Sequence, residues 1–508
     1  MSSSPTLQGR FDHLGAALSA AAEQFGDRDA YVDGRTRLTF AEWDRTSISL
    51  AGELRRRGVG RGDVVAIGLP SSAAFAICYV AAVRIGAIAT GINTRLGRRE
   101  IAGILRQSAA RLLIGDVTTD TAIETIEQHE LDELLGARSV LDATTQAEWG
   151  KEPGIGRHDP AVIIWTSGTT GAPKGAWYDH AGLEAAVHSS GVMSAPFDRR
   201  LVATPFAHAG YMAKVWDQIA WAIAFIVPPQ PWSAASTALF LREERVTVAS
   251  LVPTQWAKML EHEGGHRPFP HLRLGTSATA PASPDLIEQV QKRFEVPLVV
   301  RYAMTESPSI TGTEINEPPH IQFRTVGRPQ AGMDIRLVDD LGAAVPVGEV
   351  GNVEVHGACL MRGYWHDEET TRKALTDDGW LRTGDLGYRS PRGHLLLTGR
   401  RGEMYIRGGY NVYPLEVERV LSTHLLVGES AVIGIPAPVI GEIGVAFVVP
   451  SGDPAPTLED LRDHVRSELA DYKAPDRLVL LEALPRTAMM KVDRHVLVAN
   501  LNCTTYNI

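Results

Sequence analysis

Apolar positions along this chain follow two rhythms. Short β-favouring runs at residues 64–69, 87–91, 112–115 and 161–165 alternate with longer stretches of helical period. Residues 11–26 carry a helical pattern that ends near Gly26. Asp33-Gly34 between β-formers predicts a hairpin. Thr39 and Glu42 form a capping box, which predicts a helix running to Arg57 and closed by Gly58. Residues 71–85 read as a helix of small residues. Strands alternating with helices of this length predict an α/β fold with largely parallel sheets.

From about residue 330 the texture changes. Strands become short and turns frequent, at 334–338, 351–355 and 395–397, which fits a β-rich subdomain in the form of a small barrel. A last α/β segment begins near 402, with strands at 430–435 and 445–449. Its helix at 458–469 opens on a Thr457 cap, with Asp460 at the third helical position. The predicted division is therefore 1–400 and 401–508. The most apolar stretches, 73–83 and 219–227, stop at Arg84 and Pro228. Both fall well short of the ~20 residues that span a bilayer, so both read as buried helices.

Composition narrows the function classes. A chain of 508 residues exceeds one hydrophobic core. Its 44% hydrophobic and 22% charged content is that of a soluble globular protein. A net charge of −10 argues against a nucleic-acid surface. Cys78, Cys359 and Cys503 lie far apart and form no metal-ligand pair, so reduced thiols and a cytoplasmic location are expected. No signal-peptide run opens the chain. His262, His266 and His271 lack zinc-site spacing.

The densest chemistry is Thr166-Ser167-Gly168-Thr169-Thr170-Gly171-Ala172-Pro173-Lys174-Gly175, directly after the strand at 161–165. Glycines let backbone N–H groups turn toward an anion, hydroxyls add donors, and Lys174 adds a mobile cation suited to phosphate. A P-loop needs Gly-Lys followed by Ser or Thr; Pro173 and Gly175 flank Lys174, so that reading fails. Arg301-Tyr302-Ala303-Met304-Thr305-Glu306-Ser307 follows an apolar strand and places Thr305 and Glu306 where α/β sheets bind ligands. Glu306 suits Mg²⁺, which takes few carboxylates together with phosphate oxygens. Trp380-Leu381-Arg382-Thr383-Gly384-Asp385 puts a carboxylate in a Gly-flanked turn, suited to ribose hydroxyls. Gly399-Arg400 and Gly408-Gly409 follow, and Lys491 lies in a loop-like segment near the C-terminus.

In order and spacing these motifs resemble those of the adenylate-forming enzymes, which include acyl-CoA synthetases, peptide-synthetase adenylation domains and luciferases. The resemblance covers residues from about 11 to 495. It implies a large N-terminal domain of mixed, mostly parallel sheets with a β-rich subdomain, and a small mobile α+β C-terminal domain. It implies activation of a carboxylate with MgATP as an acyl-adenylate, release of pyrophosphate, and transfer of the acyl group to a thiol. By resemblance, Thr166, Ser167, Gly168, Thr169, Thr170, Gly171 and Lys174 wrap the β- and γ-phosphates, with Thr166 and Glu306 near Mg²⁺ and Thr305 on a phosphate. Ser277, Ala278 and Thr279 lie along the adenine and Tyr302 stacks near it. Asp385 and Arg400 bind the ribose, and Lys491 bridges carboxylate, α-phosphate and ribose oxygen. Gly408 and Gly409 line the pantetheine tunnel. His208 lies between acyl pocket and tunnel, with Gly210, Tyr211, Lys214, Ser277 and Ala303 lining the pocket.

Lys214 suits a second polar group on the substrate, although an i+3 pair with Asp217 on a helix surface is the simpler reading. Two positions depart from the family pattern: the hinge is Gly402, and Met489-Met490 precede Lys491 where Thr-Gly is usual. The expected function is an acyl-CoA ligase for an aryl, alicyclic or medium aliphatic acid, using ATP, Mg²⁺ and CoA. No carrier domain follows residue 508, which favours CoA as acceptor. A stand-alone enzyme loading a carrier protein is the alternative, and a homodimer stays open. A non-catalytic ATP-binding relative fits poorly with so complete a set of motif residues.

Overall fold

The apolar runs pair into two large sheets in the computed structural model, which describes residues 6–34, 36–136, 154–166, 173–229, 231–265, 267–277, 284–408, 410–487 and 491–502. The first sheet runs Gly363–Tyr364, Lys174–Asp179, Pro160–Thr166, Ile88–Gly91, Val64–Ile67, Ala110–Ile114, Glu124–Ile126. Its inner strands are parallel and its first two pairings antiparallel. The second runs Arg328–Pro329, Ser307–Gly312, Leu298–Met304, Leu274–Ser277, Val248–Leu251, Arg199–Val202, Ala224–Val227, Asp29–Asp33, Thr36–Thr39. It is parallel through the centre and antiparallel at both edges. Strands such as Val64–Ile67 and Ile88–Gly91 are buried on both faces, which explains their continuous apolar character.

Helix Ala73–Arg84 has no polar face and packs against strands of both sheets, Asp29–Asp33 on one side and Val64–Ile67 and Ile88–Gly91 on the other. Around it Tyr31, Trp43, Phe75, Phe206, Tyr211 and Phe225 form one aromatic core. Burying a side chain of this size contributes on the order of 1.5–3 kcal/mol. The capping boxes at Thr39 and Thr457 both form, and open helices Phe40–Arg56 and Leu458–Glu468. Among the described residues no helix is long and apolar enough to cross a membrane.

Two expectations change. The apolar run at 219–227 is not one helix. It is the end of helix Val215–Ala220, a turn with Ala222 at φ +50, and strand Ala224–Val227. The β-rich part is an open antiparallel sheet rather than a barrel, in the order Met333–Val338, Gly351–Gly357, Leu381–Arg389, Leu395–Arg400. Its edge strand exchanges backbone hydrogen bonds with 326–327 of the body at 2.9 and 2.8 Å instead of closing on Met333–Val338. The C-terminal sheet runs Tyr410–Val412, Tyr405–Arg407, Gly441–Pro450, Val427–Ala437, with Arg477–Leu480 parallel to Gly441–Pro450. Val417, Leu421, Leu461 and Val465 of its helices complete a separate core with Tyr405 and Val432.

A pair of histidines ties helix Leu14–Phe25 to the body. His13 caps that helix by accepting from the Ala16 amide through Nδ1, at 3.3 Å. His180, 2% exposed, accepts from the Leu14 amide through its own Nδ1 at 3.4 Å. Burial lowers the His180 pKa to about 3, with a contribution from His13, and burial and then Arg84 lower His13 to about 4. Both therefore fold as neutral acceptors, while the unfolded chain protonates them near pH 6.5. Their stabilisation is complete above that value and is lost as pH falls toward 4 and 3, at about 1.4 kcal/mol per pH unit for each histidine. His180→Asn keeps an acceptor without a titrating group, so the fall in thermal midpoint between pH 6.5 and 5 should be shallower than in the parent. Parallel pH profiles for the two proteins would contradict this.

Candidate active site

Thr166 and Lys174, at the two ends of the expected phosphate loop, are set side by side by the fold. Strands Pro160–Thr166 and Lys174–Asp179 pair antiparallel, with Thr166 opposite Lys174. Ser167, Gly168, Thr169, Thr170 and Gly171, which join them, lie outside the described residues. A Cβ at Gly175 would sit 2.7 Å from Ile163 Cγ2 and 3.1 Å from the Trp165 ring, so only glycine allows the loop to return to the sheet here. The Gly175 carbonyl then accepts from the Trp365 amide at 2.7 Å. This brings the Tyr364 ring to 5.5 Å from Lys174 Nζ.

Tyr364 is the main residue that the motif reading missed. Its hydroxyl donates to Glu306 Oε1 at 2.7 Å. Glu306 is 8% exposed and occupies the turn between Leu298–Met304 and Ser307–Gly312, where its carbonyl accepts from the Met361 amide at 2.9 Å. The neighbouring Thr305 carbonyl accepts from Tyr178 at 2.6 Å. The acid is thus fixed from three sides. The only sequence trace of Tyr364 is an aromatic pair after Gly363, a pattern that surface loops also show.

Across the cleft, Asp385 and Arg400 face each other in antiparallel register, and Arg400 Nε donates to Asp385 Oδ1 at 3.0 Å. The Tyr302 hydroxyl donates to Asp385 Oδ2. Burial, reinforced by Asp385, pushes that phenol well above its ordinary pKa, so it stays a donor. Burial disfavours the Arg400 charge, but Asp385, Glu403 and Tyr302 outweigh it and raise the pKa. Ser277, expected along the adenine and in the acyl pocket, is 2% exposed, and its Oγ has no partner among the described residues. An orphaned buried hydroxyl suits a site completed by ligand. Ala278 and Thr279 lie outside the described residues.

Lys491 comes from the C-terminal domain. Met489 and Met490 lie outside the described residues, and the Lys491 carbonyl accepts from the Thr487 amide at 2.8 Å. Its side chain retains solvent access, yet crowding protein lowers its pKa, as does Arg400; Glu306, Asp385 and Glu403 oppose the shift. These interactions place the ammonium within electrostatic reach of both Glu306 and Asp385. Lys491 also helps hold His208 down at about 4, after burial as the main cause. His208 Nε2 lies 3.0 Å from Asn93 Nδ2, and Asn93 Oδ1 is taken by the Arg95 amide at 3.0 Å. Nε2 therefore accepts and Nδ1 carries the proton, in a neutral imidazole at pH 7.

Four pocket candidates separate. Gly210 and Ala303 are exposed. Tyr211 is fully buried instead, stacked on Phe206 at 3.6 Å with its hydroxyl 2.8 Å from that of Tyr31, so it belongs to the core. Lys214 and Asp217 form no ion pair: Asp217 Oδ2 accepts from Arg200 Nη1 at 3.0 Å and Ser194 Oγ at 2.7 Å, and its buried Oδ1 has no hydrogen-bond partner among the described residues. Gly408 adopts φ +58 with its amide on the Ile440 carbonyl; Gly409 lies outside the described residues. At Gly402 a Cβ would meet nothing within 4 Å and φ is unexceptional, so this conformation does not itself demand glycine at the hinge.

The donor set fits Mg²⁺. Among the described residues no group of three or more His, Cys, Asp or Glu gathers to form an all-protein cage. Mg²⁺ instead favours one or two protein oxygens with substrate phosphates, as Glu306 and Thr166 offer.

The model of the AMP-binding enzyme family matches residues 18–365, and that of the AMP-binding enzyme C-terminal domain matches 416–491. A Rhodococcus jostii 3-[(3aS,4S,7aS)-7a-methyl-1,5-dioxo-octahydro-1H-inden-4-yl]propanoyl:CoA ligase is 30% identical, over 95% of this chain and 97% of its own. The long-chain-fatty-acid–CoA ligase FadD13 of Mycobacterium tuberculosis is 31% identical, over 92% and 94%. The structure of o-succinylbenzoate CoA synthetase (MenE) from Bacillus subtilis, in complex with its acyl-adenylate intermediate, superposes with a TM-score of 0.82. It is 27% identical, over 95% of this chain and 97% of its own. With family models matched over both its N-terminal and its C-terminal parts, this chain belongs to the AMP-binding enzyme family.

Proposed function

We propose that this chain is an ATP-dependent acyl-CoA ligase that activates a carboxylic acid as its acyl-adenylate and passes the acyl group to CoA. The observation that carries the reading is Lys491, set by the C-terminal domain within reach of Glu306, Asp385 and Arg400. In the first half-reaction a carboxylate oxygen bonds to the α-phosphorus and the α–β phosphoanhydride bond breaks, releasing pyrophosphate. Two anions meet in this step, so positioned cations stabilise it, and acid–base help is unnecessary because the carboxylate is already ionised. Mg²⁺, when bound, neutralises phosphate charge. Lys174 and Thr166 hold the outgoing phosphates, Asp385 and Arg400 hold the ribose, and Lys491 covers the bond being made.

In the second half-reaction the CoA sulfur bonds to the acyl carbon, and AMP leaves with the carboxylate oxygen. Residues 401–508 rotate about Gly402 to remove Lys491 and bring Gly408 and Gly409 to the thiol path, over a body formed by 1–400. His208 is neutral, chiefly through burial, and its part is to shape the passage between acyl pocket and thiol. The open faces at Gly210 and Ala303 leave room for an aryl, alicyclic or medium-chain acyl group.

Pyrophosphate release over a panel of such acids, with and without CoA, tests the reading. The expected result is acid-dependent release, with AMP and a CoA thioester as products. Release without a thioester would move the acceptor to a carrier protein. No acid-dependent release across the panel would overturn the ligase reading.

A further inference from the structure

A cluster of side chains beside helix Val215–Ala220 carries a surplus of positive charge. Arg200, Lys214 and Arg301 converge there with Asp217 and the Cys359 thiol. Asp217, 1% exposed, gives Oδ2 to Arg200 and Ser194, while its buried Oδ1 has no hydrogen-bond partner among the described residues. Arg200 in turn spends Nη2 on the Met193 carbonyl at 2.8 Å and on Ser194 Oγ. That pair is neutral as a unit. Lys214 and Arg301 have no carboxylate at ion-pair distance among the described residues. The Lys214 ammonium makes no hydrogen bond or ion pair there. Arg301 has only a 3.4 Å contact from Nη2 to the Ser190 carbonyl, and its buried Nε has no partner.

Leaving two partly buried cations unpaired is costly, and the fold keeps them there deliberately. A Cβ at Gly312 would lie 2.1 Å from Arg301 Nη1, so this glycine makes the room the guanidinium occupies. Burial lowers the Lys214 pKa, and Arg200 and Arg301 add to the shift against Asp217 and Cys359. Burial likewise lowers Arg301, which Glu314 offsets from a distance. An anion arriving between them would relieve both.

Both cations adjoin positions expected to line the acyl pocket. Lys214 follows the exposed Gly210 by four residues and His208 by six, across the short helix Ala209–Met212. Arg301 precedes the exposed Ala303 by two residues in strand Leu298–Met304, whose pairing shifts register between Tyr302 and Met304. On the ligase reading, an acid that enters beside His208 would run toward these two cations.

We propose that Lys214, supported by Arg301, is a specificity-determining residue that binds a second carboxylate at the far end of the acid, so that the preferred substrates are dicarboxylates activated at one end only. This rests on the acyl-CoA ligase reading. Lys214 takes the distal carboxylate as an ion pair, Arg301 adds its free Nε–H, and the near carboxylate remains for Lys491. A plain fatty acid would leave both cations desolvated and unpaired.

The test compares suberate with octanoate, a matched dicarboxylate and monoacid, by pyrophosphate release with the full-length protein. In the parent, kcat/KM for suberate should exceed that for octanoate by about tenfold or more. In Lys214→Met this ratio should fall by about 30-fold, chiefly through KM for suberate, and Lys214→Arg should restore most of it. Melting temperatures of both variants report folding independently of activity. A parent that turns over octanoate as well as suberate would overturn the proposal while leaving the ligase reading intact. So would an equal loss on both acids in Lys214→Met with a lowered melting temperature, which would make Lys214 a structural neighbour of Asp217. Failure of every acid in the parent would overturn the ligase reading and this proposal together.

Discussion

Replacing Lys491 with alanine is expected to slow acid-dependent pyrophosphate release by about 100- to 1000-fold, the usual cost of removing one positioned group that stabilises developing charge. Thioester formation from supplied acyl-adenylate should change by no more than a few-fold. The asymmetry follows from the geometry. Lys491 is the one member of the cationic set that belongs to the C-terminal domain, and it reaches Glu306, Asp385 and Arg400 only while that domain sits over the body. In the proposed second half-reaction the domain rotates, the lysine leaves and the thiol path takes its place. Single-turnover measurement of each half-reaction separates the two rates. Equal loss in both would mean that the variant damages the fold or that Lys491 has another role.

Exchanging Glu306 for glutamine is expected to lower pyrophosphate release by about 100-fold and to raise the Mg²⁺ concentration needed for half-maximal rate. Glutamine retains the size of the side chain and can still accept from the Tyr364 hydroxyl, so the turn held by Met361 and Tyr178 should survive. What disappears is the charge. A steady-state Mg²⁺ titration at fixed ATP and acid reads this directly. An unchanged Mg²⁺ dependence with reduced rate would place Glu306 in a positioning role away from the metal.

Local signals in the sequence were reliable wherever local physics decides. The capping boxes at Thr39–Glu42 and Thr457–Asp460 need only residues three apart, and both helices begin where they predict. The parallel strands were legible because burial on both faces leaves an unbroken apolar run. That same feature misled at 219–227, where a short apolar run suits a helix or a strand, and a turn at Ala222 splits it into both.

The site was legible as motifs and less so as contacts. Thr166 and Lys174 are strand partners, and Asp385 and Arg400 are cross-strand neighbours, relations that follow once the strands are drawn. Tyr364 on Glu306, 58 residues apart, and Asn93 on His208, 115 apart, depend on how separate elements pack. Tyr211 shows the limit of a position assigned by register alone. It follows the exposed Gly210 yet points into the core, because a helix carries adjacent side chains to different faces. Lys214 shows the converse. An i+3 carboxylate looked like its natural partner until Arg200, from a distant strand, proved to hold Asp217.

The claim that everything else depends on is that the acid's own oxygen attacks the α-phosphorus. Incubating the enzyme with ATP, CoA and an accepted acid labelled with oxygen-18 in its carboxylate tests it in one step. The account predicts AMP carrying one labelled oxygen, unlabelled pyrophosphate and an acyl-CoA. Formation of ADP and label in inorganic phosphate, or AMP free of label, would contradict it.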